Sequence, residues 1–133
     1  MRILIVDGQG GGIGRQLVEA LRERLPQAHL TAIGTNAFAT SAMLKAGATR
    51  AATGENAVVV ACRDAEVIVG PVGIVIADAL VGEVTPAMAL AVARSRARKV
   101  LIPVNHCENF VVGVDARLTT AQLVAQAVEA IVS

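Results

Sequence analysis

The chain has 133 residues and a mass of 13.6 kDa, which is enough for one buried core and too short for two ordinary domains. Hydrophobic residues make up 54% of the sequence and charged residues 17%, so a disordered chain is excluded. The formal net charge is only +1 and both Trp and Tyr are absent, so neither a basic nor an aromatic surface for nucleic acid is expected.

The cysteine content and the hydropathy bear on the cellular compartment, on membrane binding and on the oligomeric state. Cys62 and Cys107 are too few for a disulfide framework or a zinc ribbon. The first residues contain no secretory signal, and the longest apolar run, over 67–77, is shorter than the roughly 18 residues of a membrane span. The sequence therefore predicts a cytoplasmic protein with no membrane partner. The mean hydropathy of +0.60 favours a homo-oligomer, in the simplest case a dimer, over a merely apolar surface.

Strands and helices alternate along the first half of the chain. The aliphatic run at 2–6 predicts a strand buried on both faces, and apolar residues at three- and four-residue spacing from Gly12 predict a helix that Pro26 stops. A strand at 29–33, a helix at 35–46, a short strand at 48–52 and a helix at 53–64 follow. Asn36 or Thr35 is the expected cap of the helix at 35–46.

The second half continues the alternation with two less regular pieces. A buried strand is predicted at 66–70, and residues 71–80, apolar nearly all round, predict a buried helix or an interface helix. A helix from Thr85 to the basic cluster at 94–99 precedes a strand at 99–104, and a helix at 118–132 closes the chain. Residues 110–114 predict a further strand, antiparallel because the connection before it is short.

These elements together predict the fold class. Alternating strands and helices are typical of an α/β protein with right-handed crossovers. We expect a doubly wound, mostly parallel Rossmann-like sheet of about six strands with an antiparallel C-terminal edge strand. Residues 1–133 are expected to form one such domain.

The most informative segment is a glycine-rich loop between the first strand and the first helix. It follows Asp7 and consists of Gly8, Gln9, Gly10, Gly11, Gly12, Ile13 and Gly14. Glycines let a backbone approach a ligand without interference from a Cβ atom. The N-terminus of a helix adds unpaired amides and the positive end of the helix dipole, which favours an anion by about 0.3–2 kcal/mol per charge. We therefore expect these residues to bind a phosphate group.

Two positions near this loop bear on the ligand. A dinucleotide-binding sheet usually has a ribose-binding acid at the end of its second strand, where this sequence has Thr35 and Asn36. Either side chain is expected to bond a ribose, and no carboxylate is expected there. Asp7 would stand beside the phosphate, which at 4 Å is unfavourable by about 1–4 kcal/mol. Asp7 therefore either turns away to cap local amides or faces a Mg²⁺ ion or a cationic ligand group.

Few residues are candidates for catalysis. Asp7 and Cys107 are the main ones, and Glu55 and His106 are the other acid–base groups near the carboxyl ends of the predicted strands. Cys107 is either a nucleophilic or redox thiol or simply a small residue in a turn. Glu55 is expected to be an ordinary first-turn helix residue, and Cys62 a core residue. No ligand spacing supports a metal site. The sequence leaves open whether the protein is an enzyme.

The glycine loop resembles the cofactor-binding turn of the short-chain dehydrogenase/reductase family. The resemblance extends from Ile3 to about Leu21 and fits a G-x-x-x-G-x-G spacing through Gly8, Gly12 and Gly14. It implies NAD(P) or another nucleotide as the cofactor. That family's reductase chemistry depends on a Tyr-x-x-x-Lys pair, and this chain has no tyrosine. The resemblance therefore extends to the cofactor turn and excludes the reductase activity.

A larger pattern covers almost the whole chain. It comprises Asp-Gly-Gln-Gly-Gly-Gly-Ile-Gly at 7–14, Gly-Thr-Asn-Ala at 34–37, Thr-Ser-Ala-Met-Leu-Lys-Ala-Gly-Ala at 40–48, Ala-Thr-Gly-Glu-Asn-Ala at 52–57, Val-Gly-Pro at 69–71 and Gly-Glu-Val-Thr-Pro at 82–86. This pattern resembles a family of small bacterial proteins of unknown function. The resemblance implies a stand-alone domain and no particular activity.

Two functions are compatible with these patterns. The first is a Rossmann-like domain that binds a nucleotide or another phosphate-bearing small molecule at residues 8–14, with Thr35, Asn36 and residues 105–107 bordering the pocket. The second is a non-catalytic regulatory or assembly module that homodimerises through residues 71–80. In that module the glycines of the loop would only allow close packing of neighbouring elements.

Overall fold

The structure, a computed structural model, describes residues 1–104 and 109–133. Its strands are β1 (Arg2–Asp7), β2 (His29–Gly34), β3 (Arg50–Thr53), β4 (Val67–Pro71) and β5 (Arg98–Ile102). Its α-helices are α1 (Gly12–Arg24), α2 (Ala37–Lys45), α3 (Glu55–Ala61), α4 (Pro86–Arg94) and α5 (Thr120–Val132). A short 3₁₀ helix, Val72–Val75, follows β4.

The strands form one sheet in the order β3-β2-β1-β4-β5, and every pairing in it is parallel. Helix α1 packs against α2 and α5, whereas α3 packs against α4. The prediction of a doubly wound parallel α/β sheet is therefore confirmed. The strand order changes direction between β1 and β4, and ligands of such sheets bind outside the carboxyl ends of the strands at that point.

Strand β1 is the centre of the sheet and is buried on both faces, as its aliphatic sequence predicts. Ile3 and Ile5 belong to the core under α1, α2 and α5, and Leu4 and Val6 belong to the core on the opposite face. Burying such a side chain stabilises a fold by about 1.5–3 kcal/mol. These alternating residues place Asp7, and the glycine loop after it, at the edge of the sheet where ligands bind.

The predicted sixth, antiparallel strand is wrong for the described residues. Residues 110–114 are irregular and include a turn at Gly113, whose φ is 87°. Phe110 is 86% exposed and Val112 is 85% exposed. Alternating apolar residues form a strand only where another strand pairs with them, and no described strand pairs with this segment. The sheet has five strands in the described residues.

Residues 71–80 are not an α-helix, so neither the buried nor the interface helix predicted there is present, although several of their apolar side chains are buried. After the 3₁₀ helix the chain follows an irregular path over residues 76–84, which we call the strap. Ile74, Ala79 and Leu80 are buried in the core under α3 and α4. Leu80 and Asp78 have left-handed φ values of 56° and 66°, which no helix accommodates. The apolar composition thus reflects burial of an irregular segment.

Two further predictions concern single features of the chain. Cys62 is a buried core residue as expected, and burial raises the pKa of its thiol to about 11, so that the thiol is unreactive at neutral pH. Among the described residues, every helix is too short or too polar to cross a membrane.

Candidate functional site

The glycine loop leaves β1 and enters α1 through two left-handed residues. These are Gln9, with φ of 50°, and Gly11, with φ of 75°. The Gly11 amide donates to the Gly8 carbonyl oxygen at 2.9 Å and closes the turn. Gly11 is also the N-cap of α1 and has no side chain to accept the first helix amides. Those amides therefore need acceptors from elsewhere.

Asp7 provides acceptors for two loop amides. Its Oδ1 accepts from the Gly8 amide at 2.8 Å and its Oδ2 from the Gly14 amide at 2.6 Å. The side chain is buried, and this desolvation raises the pKa of Asp7 although both hydrogen bonds act to lower it. Of the two alternatives for Asp7, capping of local amides is confirmed. The described residues contain no group of three potential metal ligands.

Three amides of the loop have no acceptor in the part of the chain that the structure describes. The amides of Gly8, Gln9, Gly11 and Gly14 all have acceptors. The amides of Gly10, Gly12 and Ile13 have none within residues 1–104 and 109–133. Gly12 and Ile13 are the first two residues of α1, where free amides and the helix dipole together favour an anion.

Three glycines of the loop are required by packing. A Cβ atom on Gly11 would lie 2.8 Å from the Ala39 Cα atom, and one on Gly8 would lie 2.8 Å from side-chain atoms of the strap. A Cβ atom on Gly14 would collide with Met43. Gly14 therefore makes room for Met43 of α2 and for Asp7 at the end of β1. Gly11, expected to leave room for a ligand, instead makes room for α2.

Gly10 and Gly12 differ from the other glycines of the loop. A Cβ atom at either position would meet nothing within 4 Å in the described part of the chain. Neither residue has the left-handed φ that favours glycine. Packing and backbone conformation therefore explain three of the loop glycines, and the described residues give no such reason for Gly10 and Gly12.

An open cavity of about 280 Å³ borders the loop. It is lined by Asp7, Gly8, Gln9, Gly10, Gly11, Gly12, Ile13, Gln16, Leu80 and Thr120. The described lining contains no Lys or Arg, so a bound anion would depend on amides and on the Gln16 and Thr120 side chains. Sequence reasoning missed both side chains. Gln16 follows Gly12 by one turn of α1, so the helical spacing could have placed it beside the loop. Thr120 belongs to α5, and no local sequence pattern connects it to the loop.

Thr35 and Asn36 do not line this cavity, and both side chains instead bind a carboxylate. Glu83 Oε1 accepts from Thr35 Oγ1 at 2.6 Å, from Asn36 Nδ2 at 2.9 Å and from the Gln9 amide at 2.8 Å. The expectation that no carboxylate lies at the end of β2 is therefore wrong. Glu83 belongs to the strap, 47 residues after Asn36 in the sequence.

The neighbours of Glu83 hold it in its ionised form. Partial burial raises the pKa of Glu83, but the hydrogen bonds from Thr35, Gln9 and Asn36 outweigh it, and the pKa lies below its usual value. Asn36 is itself fixed, because its Oδ1 caps α2 by accepting from the Ala39 amide at 2.9 Å. The predicted capping role of Asn36 is thus confirmed.

A family model described as a domain of unknown function, DUF3842, matches residues 2–133. The chain belongs to the DUF3842 family. The predicted membership of a family of unknown function is thereby confirmed. No curated protein matches this DUF3842 chain.

One solved structure similar to the DUF3842 chain is a dodecameric FMN-dependent UbiX-like decarboxylase from Escherichia coli O157:H7. The two chains are 16% identical, the match covers 100% of this chain and 95% of that one, and the TM-score is 0.46. A likeness of this size says nothing of what the DUF3842 chain binds.

The remaining candidate residues lie away from the loop or outside the described residues. Glu55 begins α3, and its Oε1 accepts from Thr85 Oγ1 at 2.6 Å, so that it joins α3 to the cap of α4. This contact supports the structural role expected for Glu55 in the DUF3842 chain. Cys107 and His106 fall within 105–108, outside the described residues, as does the turn at 105–107 that was expected to border the pocket.

Proposed function

We propose that this DUF3842 domain binds a nucleotide or another phosphate-bearing small molecule at residues 8–14. The observation that carries the proposal is the pair Gly10 and Gly12, which no contact or backbone conformation in the described residues requires to be glycine. Both also have unpaired amides there. Glycine at such positions leaves the backbone accessible to a ligand.

The cavity suits a phosphate group in size and polarity. The amides of Gly10, Gly12 and Ile13 are its donors, and the dipole of α1 favours the charge by about 0.3–2 kcal/mol. At about 280 Å³ the cavity lies near the lower end of the roughly 300–1,000 Å³ typical of ligand sites. A nucleotide such as NAD(P) would place a phosphate in the cavity and extend along the sheet edge.

The proposal assigns binding and no reaction. Asp7 is the one titratable side chain in the described lining of the cavity, and each of its oxygens already accepts a backbone amide. A carboxylate engaged in this way positions the loop, and a general base needs an oxygen that is free to reach its proton.

Thermal melting with NAD, NADP, ATP, AMP and coenzyme A tests the proposal. At least one compound should raise the melting temperature, because ligand at 100 times its Kd stabilises the folded state by about 2.7 kcal/mol. Gly12→Val should abolish that shift without unfolding the protein. Ala87→Val, which introduces the same side chain at an exposed position in the first turn of α4, should preserve it. Absence of a shift with every compound would contradict the proposal.

The competing assembly module finds less support. Its dimer contact was expected over residues 71–80, but Ile74, Ala79 and Leu80 are at most 3% exposed within the single chain. These three side chains offer almost no surface to a partner, so a contact over 71–80 would depend on the partly buried Val72, Val75 and Ile76. The packing of Gly8, Gly11 and Gly14 agrees with the module, whereas Gly10 and Gly12 do not.

We also propose that residues 1–133 act as one domain in the cytoplasm. Two observations support this setting: both cores pack on the same sheet, and Cys62 is a free buried thiol, which is common in reducing compartments.

A further inference from the structure

We infer that Glu83 selects the sugar of the bound nucleotide, accepting a hydrogen bond from an unmodified ribose 2′-hydroxyl and disfavouring a phosphate at that position. The inference deepens the proposed function and rests on it, because it assigns a sugar subsite beside the phosphate-binding loop. It distinguishes NAD-like from NADP-like ligands.

The first support is the position of the carboxylate. Thr35 and Asn36 directly follow β2, at the place where dinucleotide-binding sheets hold the acid that bonds the ribose. Glu83 reaches this place from the strap and accepts hydrogen bonds from both side chains. It also accepts the Gln9 amide, so the carboxylate is attached to the glycine loop itself. A sugar whose phosphate lies on α1 would be near this carboxylate.

The second support is that the two carboxylate oxygens of Glu83 differ in their hydrogen-bond partners. Three donors converge on Oε1, whereas Oε2 has no partner among the described residues. The side chain is partly exposed. An ionised carboxylate is an acceptor only, so Oε2 is suited to a hydroxyl donor and repels a second phosphate.

The third support is the conformation that brings Glu83 there. Just before it, Leu80 and Val81 have φ values of 56° and 57°. A left-handed β-branched residue is strained, and Val81 is 93% exposed, so packing of its side chain offers no compensation. The Asp78 amide donates to the Val84 carbonyl at 2.7 Å and holds the strap closed. Strained segments kept in one conformation are typical of ligand sites.

Titration calorimetry with three ligands tests the inference: AMP, 2′-deoxy-AMP and adenosine 2′,5′-bisphosphate. Heat is the suitable signal because the chain has no Trp or Tyr. The unmodified protein should bind AMP about 10- to 100-fold more tightly than either analogue, the range expected for a hydrogen bond to a charged group. In Glu83→Gln the ratio for the bisphosphate should approach one because the negative charge is removed, whereas the ratio for 2′-deoxy-AMP should fall less, because the Gln NH₂ group can donate to the same hydroxyl.

The substitution is conservative by design. Gln keeps the shape of Glu and an Oε1 acceptor facing the Gln9 amide, Thr35 and Asn36, so the strap should remain closed. Glu19→Gln is the matched control, because Glu19 lies exposed on α1 beside Arg15 and should leave the ratios unchanged. The ratios of the unmodified protein are informative even if the Glu83 variant does not fold.

Each contrary outcome has one meaning. Equal affinity of the unmodified protein for AMP and both analogues would overturn the inference and leave the phosphate site intact. A uniform gain in affinity for all three ligands in Glu83→Gln would show a general repulsive charge and would also overturn it. Binding of another phosphate compound, but of none of the three, overturns the sugar subsite alone. Failure of every phosphate compound to bind overturns the proposed function.

Discussion

Asp7 is a buried carboxylate with one backbone amide on each oxygen, and its replacement should be costly. Asp7→Asn keeps an acceptor for one of the Gly8 and Gly14 amides and turns an NH₂ group toward the other. A buried amide without an acceptor costs about 1–3 kcal/mol. The variant should therefore be less stable than the unmodified protein by about that amount, measured by urea denaturation.

The same pair of proteins tests the pKa of Asp7. Burial raises the pKa of the folded-state carboxyl above its unfolded value of about 3.9, so the folded state binds the proton more tightly. The free energy of unfolding of the unmodified protein should then fall, relative to Asp7→Asn, as the pH rises from about 4 toward the raised pKa. A stability difference that widens with pH would mean that the amides outweigh burial.

Substitution by Ala should have opposite effects on stability at Gly12 and at Gly14. Gly14→Ala should destabilise the fold by about 1–3 kcal/mol because its methyl group meets Met43 and the Asp7 Cβ atom. Gly12→Ala meets nothing and should stabilise the protein by about 0.4–1 kcal/mol by restricting the unfolded chain. Melting temperatures without ligand provide the measurement. Equal losses at both positions would favour packing as the reason for every loop glycine.

Part of the site could be predicted from sequence because its parts are local. Asp7 caps amides of the glycine loop between β1 and α1, and Asn36 caps α2 directly after β2. Each of these contacts joins residues that are close in sequence, so local patterns could predict them. Glu83 could not be found in this way, because the strap brings it to β2 from 47 residues away. Its one local signal is the Gly82–Glu83 pair before the Thr85 cap, which any surface turn could show.

At the scale of elements, the strap is the strained part of the fold. Val81 is β-branched, left-handed and almost fully exposed. Val81→Gly removes the steric conflict and loses no buried surface, although glycine has more freedom to lose on folding. We expect a net stabilisation of about 0.5–1 kcal/mol in chemical denaturation. A loss of stability would show that the Val81 side chain makes a compensating contact.

The regular elements were predictable where periodicity and termination signals agreed. Strand β1 and helix α1 are examples, because aliphatic burial and apolar spacing leave one interpretation for each. Residues 71–80 and 110–114 lacked such agreement. In residues 71–80, apolar side chains are buried although the backbone is irregular. In residues 110–114, apolar residues alternate but no described strand pairs with them. Tertiary context decided both cases.

At the scale of the whole molecule, large apolar side chains remain on the surface. Those at least 50% exposed are Met1, Phe38, Leu44, Val81, Leu90, Phe110 and Val112. We propose that they support a homo-oligomer, in the simplest case a dimer. Size-exclusion chromatography with light scattering at two protein concentrations should give a mass above the 13.6 kDa of one chain. A monomer that persists at both concentrations would contradict this.

The strand order also determines when, during synthesis, each strand can pair with its neighbours. Strand β1 pairs with β2 on one side, but its other neighbour, β4, is synthesised only after β3 and α3. Until β4 is available, the central strand of the sheet exposes one row of unpaired backbone groups. Such an edge is a template for aggregation. Translation through this interval is therefore the step at which a chaperone would protect the protein.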